Sequence, residues 1–136
     1  MSEIKTNNSQ PGEGSGALIY VVDDEPMLLE LATVILEPNG YRIKTFRDPE
    51  VALQTFAAAN PRPDLLITDY AMHTMNGMEL IEQFRRLEPC LRILLVSGTV
   101  GEDIFQSSPS KPDYFLAKPY QAHQLCDIVR NLLTKK

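Results

Sequence analysis

Four short apolar runs in this chain each stop at a polar group, and that repeated pattern constrains the fold more than any other feature. Leu18-Ile19-Tyr20-Val21-Val22 runs into Asp23-Asp24, and Leu65-Leu66-Ile67-Thr68 into Asp69. Ile93-Leu94-Leu95-Val96 runs into Ser97, and Tyr114-Phe115-Leu116-Ala117 into Lys118. Short continuous apolar runs of this kind suit strands buried on both faces, as in a parallel sheet. If the four lie in one such sheet, three carboxylates, a hydroxyl and an ammonium converge on one edge. In open α/β sheets that edge is where ligands bind. Three acids facing one lysine suit a divalent cation and a phosphoryl group.

The intervening segments have helical length. Pro26 suits a first helical turn, with Leu28, Leu31, Ala32 and Ile35 as an inward stripe, and Pro38-Asn39-Gly40 stops that helix. Residues 41–46 alternate sides as a further strand, with Ile43 inward. Asp48-Pro49-Glu50 is an N-cap followed by proline at the first helical position. That helix is expected to reach about Ala59, burying Ala52, Phe56 and Ala59, before Pro61-Arg62-Pro63 breaks it. Asn76-Gly77 opens a third helix with Leu80, Ile81, Phe84 and Leu87 inward, and Pro89 ends it. The last helix, about 121–133, carries the stripe Leu125, Ile128, Val129, Leu132 and Leu133. Between the fourth and fifth strands the rhythm fails. Ser107-Ser108-Pro109-Ser110-Lys111-Pro112 disfavours a full helix and leaves one short turn around 102–106. Strands alternating with helices predict an α/β fold: a parallel sheet with right-handed crossovers, both faces covered, and a short or irregular fourth helix.

The length of 136 residues suits one domain. Residues 1–16 are polar, Gly- and Pro-containing and nearly devoid of apolar side chains, so they are expected to form a disordered tail before a folded domain at 17–136. No room remains within the 136 residues for an output domain. A net charge of −5 and the lack of a basic run speak against nucleic acid as a direct partner. No apolar run approaches the ~18 residues of a membrane span, and the N-terminus lacks the order of a signal peptide. A cytoplasmic location without membrane attachment is the expectation. Cys126 falls on an apolar helix face and suits core packing, whereas Cys90 stands at a strand entrance.

Each polar group has a bland and a chemical reading. Asp48, Asp64 and Asp103 suit caps and turns. Asp23-Asp24, followed by Glu25, is self-repelling, and capping needs only one of the pair. A bound cation would offset the repulsion. Asp69 can be a structural cap or a nucleophile that attacks phosphorus. Lys118 can be solvated, or can pair with an oxygen of a transferred phosphoryl group. Ser97 can cap the next turn or hydrogen-bond that group. The order acid pair, acid, hydroxyl, lysine, each after its own strand, is far more specific than any member.

That order, carried by Val21-Val22-Asp23-Asp24-Glu25-Pro26, Leu66-Ile67-Thr68-Asp69, Asn76-Gly77-Met78-Glu79-Leu80, Val96-Ser97-Gly98 and Leu116-Ala117-Lys118-Pro119, resembles the response-regulator receiver domain of two-component signalling. The resemblance covers about 17–133 and implies a flavodoxin-like, doubly wound five-stranded sheet of order 2-1-3-4-5. It implies Asp69 as phosphoacceptor, with Asp24, Asp69 and the Ala71 backbone carbonyl as direct ligands of Mg2+ (or Mn2+) and Asp23 acting largely through water. It also implies Lys118 as the lysine of the site, Ser97 as the switching hydroxyl and Phe115 as the aromatic that turns inward with it. The implied partners are a sensor histidine kinase or phosphotransfer protein and a downstream protein target. The protein would act as a monomer or a weak phosphorylation-dependent dimer. It would modify only itself, and so is not classed as an enzyme.

The chain also departs from the family pattern. Met72 is followed by His73, where relatives usually carry proline, and Ala71 offers only a methyl group to a water attacking an acyl phosphate. His73 and His123 are expected to face solvent. The hydroxyl is Ser rather than Thr, and the aromatic is Phe rather than Tyr. Two rival readings have sequence-level tests. An aspartyl-nucleophile phosphatase would place a general acid two residues after Asp69, where Ala71 stands. A flavin or nucleotide binder would need small residues and backbone donors after the first strand, where Asp23-Asp24-Glu25-Pro26 is repulsive. The alternative kept is a receiver-like interaction module that is not phosphorylated.

Overall fold

The computed structural model describes residues 16–99 and 101–134. Most of the expected tail, residues 1–15, lies outside the described residues, as do Val100, Lys135 and Lys136. The elements alternate: β1 (Leu18–Val22), α1 (Pro26–Leu36), β2 (Arg42–Phe46), α2 (Pro49–Ala58), β3 (Leu65–Asp69), α3 (Gly77–Leu87), β4 (Arg92–Ser97), β5 (Tyr114–Ala117) and α4 (Ala122–Thr134). All neighbouring strands are parallel, in the order β2-β1-β3-β4-β5. This is the parallel α/β sheet with both faces covered that the alternation predicts, in the doubly wound order that the resemblance implies.

Two cores follow from the period of two along buried strands. Ile19, Val21, Leu65, Ile67, Leu94, Val96 and Leu116 point to one face and meet Leu29, Ala32 and Leu36 of α1 and Leu125, Val129 and Leu132 of α4. Tyr20, Val22, Leu66, Ile93 and Leu95 point to the other and meet Ala52 and Phe56 of α2 and Leu80, Ile81 and Phe84 of α3. On that face Phe56 stacks against Phe84 with ring centroids 4.5 Å apart. With both faces packed, the open ends of the strands are left for polar groups.

The helix boundaries have local causes. Asp48 accepts a hydrogen bond from Glu50 N at 2.9 Å, with Pro49 beginning α2. Asn76 and Glu79 form a reciprocal capping box at the start of α3. Gly40, at φ 94°, closes the 3-10 turn Glu37–Asn39 after α1 in a conformation that favours glycine.

Three expectations need correction. The inward face of α1 is Leu29, Ala32 and Leu36, while Leu31 is exposed and Leu28 and Ile35 are half-buried. Apolar residues fill nearly every position of α1, so periodicity alone does not choose among its faces. Leu87 ends α3 exposed, and Ala59 lies just past α2, half-buried. Among its described residues, the connector between β4 and β5 forms one 3-10 turn, Glu102–Phe105, as its serines and prolines predict. Phe105 in that turn packs its ring 6.1 Å from Phe115 of β5. Among the described residues, no helix is long and apolar enough to cross a membrane.

Candidate functional site

The carboxyl ends of β1, β3, β4 and β5 carry the polar groups to one edge. Asp23 continues β1, its N–H donating to the Phe46 carbonyl at 3.0 Å. Its Oδ1 accepts from Glu25 N at 2.9 Å, so the first acid also shapes the turn into α1. Asp24 is half-buried. Asp69 ends β3 and is 8% exposed. One oxygen from each of Asp23, Asp24 and Asp69 can be chosen so that all three lie within 4.8 Å of one another. Converging hard oxygen donors of this kind fit a divalent cation of the magnesium or manganese type.

Lys118 reaches into this cluster from the end of β5. Its backbone N–H donates to the Ser97 carbonyl at 2.9 Å, which ties it to β4. Its ammonium lies 2.9 Å from Asp69 Oδ1 and 3.3 Å from Asp23 Oδ2. The following Lys118–Pro119 peptide is cis. Burial pushes the Asp23 carboxyl above its ordinary value, and the neighbouring Asp69 charge adds to this against the opposing Glu25 N–H and Lys118. Burial alone would lower Lys118, but the hydrogen bond to Asp69 and the charges of Asp23 and Asp69 together raise it. The two directions are compatible because Asp23 shares one cation with Asp69, whereas Lys118 has two carboxylates to itself.

The remaining residues surround that centre. Ser97 is buried at the end of β4, and its Oγ accepts from Thr99 N at 3.1 Å, the turn-capping role open to it. Phe115 is half-buried on the α2–α3 side of the sheet, against Phe105. Ala71 is exposed in the loop after β3. His73 is exposed as expected, yet its Nε2 lies 3.2 Å from Asp24 Oδ2, a contact that spacing along the chain does not reveal. His123 is exposed on α4. Cys126 is half-buried, its Sγ accepting from Asn39 Nδ2, and Cys90 is exposed.

Gly77 is a positioning residue that local reasoning sees only as a helix start. A Cβ there would stand 2.5 Å from the Asp69 carbonyl oxygen and 3.0 Å from Tyr70 Cα. Its N–H donates to the Tyr70 carbonyl at 2.8 Å. Glycine thus lets α3 begin directly against the backbone that presents Asp69. The Asn-x-x-Glu spacing at Asn76 and Glu79 was the available sign of a capping box here.

Residues 19–130 match the family model described as the response regulator receiver domain. TcrX of Mycobacterium tuberculosis, a probable transcriptional regulatory protein, is 29% identical over 124 residues, covering 90% of this chain and 52% of that protein. The nitrogen assimilation regulatory protein NtrX of Azorhizobium caulinodans is 32% identical over 118 residues, covering 85% of this chain and 26% of its own length. The chain therefore spans about half or less of these two relatives. Among solved structures, the response regulator TrrA of Thermotoga maritima in complex with Mg2+-BeF matches with a TM-score of 0.75 and 30% identity, covering 86% of this chain and 99% of that one. A family match over most of the chain, on the sheet order and acid cluster described above, shows that the chain belongs to the response regulator receiver domain family of two-component signalling.

Proposed function

We propose that Asp69 accepts a phosphoryl group from a phosphohistidine on a sensor histidine kinase or phosphotransfer protein, and that the new charge switches a protein-interaction surface. The observation carrying this reading is Lys118 Nζ at 2.9 Å from Asp69 Oδ1, beside three converging carboxylates. Lys118 holds one oxygen of Asp69, leaving the other to attack phosphorus. As the O–P bond forms, the P–N bond to the donor histidine breaks, and its electron pair stays on the histidine nitrogen. Lys118 then pairs with the transferred group as a point charge. Asp24, Asp69 and the Ala71 carbonyl would hold Mg2+ or Mn2+, with Asp23 acting through water. When bound, the ion supplies neutralisation of charge on the transferred oxygens. The Mg2+-BeF complex of the similar TrrA supports the same use of the site here.

We read Ser97 as the hydroxyl that answers the added charge; its place at the end of β4, with its carbonyl accepting from Lys118 N–H, supports this reading. In this reading Ser97 moves toward the phosphoryl group, Phe115 turns inward, and the population shifts between two surface states. The protein modifies only itself, acts in the cytoplasm as a monomer or weak phosphorylation-dependent dimer, and passes its state to a downstream protein. Beryllofluoride with Mg2+ tests the switch by NMR. Amide shifts at Ser97, Phe115 and Phe105 are expected. An unchanged spectrum at Phe115 would favour an interaction module that is not phosphorylated.

A further inference from the structure

We propose that Arg85 is a positioning residue for the phosphoacceptor site: it pins the start of β5, sets the register of that strand and so fixes where Lys118 stands. The inference rests on Asp69 being the phosphoacceptor and Lys118 its partner. β5 needs a pin from outside itself. It is an edge strand of four residues, with β4 as its one neighbour. Only Leu116 of the four is buried, so the strand's own side chains specify its register weakly. Residues 106–113, which lead into it, hold no helix or strand.

Arg85, in the last turn of α3, supplies that pin. Its Nε donates to the Leu91 carbonyl at 3.0 Å and its Nη1 to the Lys111 carbonyl at 3.1 Å. Its Nη2 lies 2.9 Å from Asp113 Oδ2. One planar group thus holds both the chain just before β4 and the chain just before β5. The Arg85 side chain is 17% exposed, so water competes little for these bonds. Asp113 carries the alignment across: its Oδ2 accepts from Ile93 N at 2.7 Å, and its own N–H donates to the Ile93 carbonyl at 2.8 Å. Tyr114 then pairs with Leu94, and the register runs on to Ala117 beside Ser97. Lys118 follows directly, its ammonium 2.9 Å from Asp69 Oδ1. A slip of one residue would move Lys118 by about 3.3 Å and turn its side chain to the other face. Even a ~1 Å misplacement can cost a reacting site about a hundredfold in rate.

Arg85→Gln in the full chain tests this by NMR and by labelling. The Lys118 amide, which bonds the Ser97 carbonyl, should exchange with solvent at least about tenfold faster. Val21 and Ile67, in the central strands, should keep their rates. The Lys118 ammonium 15N resonance should move toward that of the exposed Lys44. With acetyl phosphate and Mg2+, labelling of Asp69 should slow at least about tenfold. Arg85→Lys keeps the charge without the planar fork. It should show the same changes to a smaller degree, and it carries the test if the glutamine variant does not fold. Unchanged Lys118 amide exchange and ammonium resonance overturn the proposal. So does an equal quickening at Val21, Ile67 and Lys118, which would make Arg85 a general support of the fold. Undiminished labelling beside a displaced ammonium overturns it as well. A parent chain that takes no label overturns the phosphoacceptor reading instead, and the Lys118 resonances then decide by themselves whether Arg85 places that side chain.

Discussion

Lys118 Nζ lies 2.9 Å from Asp69 Oδ1, and the same ammonium reaches Asp23 Oδ2 at 3.3 Å. One cation thus serves two nearly buried carboxylates on different strands. The arrangement joins β1, β3 and β5 at their carboxyl ends and stores an excess of negative charge at the site.

Replacing Lys118 by glutamine should destabilise the protein at neutral pH. Breaking a fully buried pair costs ~3–5 kcal/mol, and because the Lys118 side chain is 20% exposed, a loss of about 2 kcal/mol is expected here. Lys118 is raised above its ordinary value of 10.5. Its stabilisation is therefore fully present below that value and is lost as pH rises through the higher folded one. Urea unfolding at neutral pH checks the variant, and the alkaline limb of the parent checks the titration. A variant as stable as the parent would contradict the pairing.

Asp23→Asn should act in the opposite direction. Burial raises the Asp23 carboxyl above its ordinary 3.8, so the fold binds this proton more tightly than the unfolded chain does. That contribution is fully present below the ordinary value and is lost as pH rises through the raised one. Asparagine keeps the shape without the charge. In cation-free buffer the variant should have the higher urea midpoint at neutral pH, with the two proteins converging in acid. A lower midpoint at neutral pH would show that the Lys118 pairing outweighs burial at Asp23.

Gly77→Ala should cost stability and disturb the site together. The added methyl would meet the Asp69 carbonyl oxygen at 2.5 Å and Leu95 Cδ1 at 2.9 Å. Overpacking of this kind costs ~1–3 kcal/mol, and the backbone contact gives little freedom to relax. Denaturant unfolding should place the loss within that range, with amide shifts at Asp69 and Tyr70. Unchanged stability would show that α3 can move away from β3.

Phe105→Ala should loosen the segment that replaces a full helix before β5. The ring contact to Phe115, at 6.1 Å between centroids, belongs to a class of pair worth ~0.5–1.5 kcal/mol. A destabilisation of about 1 kcal/mol is expected, with faster ring flipping of Phe115 by NMR. A Phe115 ring indifferent to the change would separate the connector from the aromatic.

Much of this arrangement was legible because apolar runs and their polar ends are local. Leu65–Thr68 running into Asp69 announces both a buried strand and the group at its tip. The serines and prolines after Gly101 likewise announce a connector too broken for a long helix. The face of α1 was not legible: Leu28, Leu29, Leu31, Ala32, Ile35 and Leu36 offer overlapping stripes, and only packing on β1 and α4 selects Leu29, Ala32 and Leu36. Nor was the need for Gly77, which comes from the Asp69 carbonyl eight residues away. The His73–Asp24 contact joins two loops and has no signature in either one.

Covalent labelling tests the phosphoacceptor reading most directly. The parent chain, incubated with acetyl phosphate and Mg2+, should gain a single acid-stable, hydroxylamine-labile phosphoryl group that maps to Asp69. Asp69→Asn should gain none. Stoichiometric labelling of Asp69→Asn, or a parent chain that takes no label while binding Mg2+, would contradict the assignment of Asp69 as the phosphoacceptor.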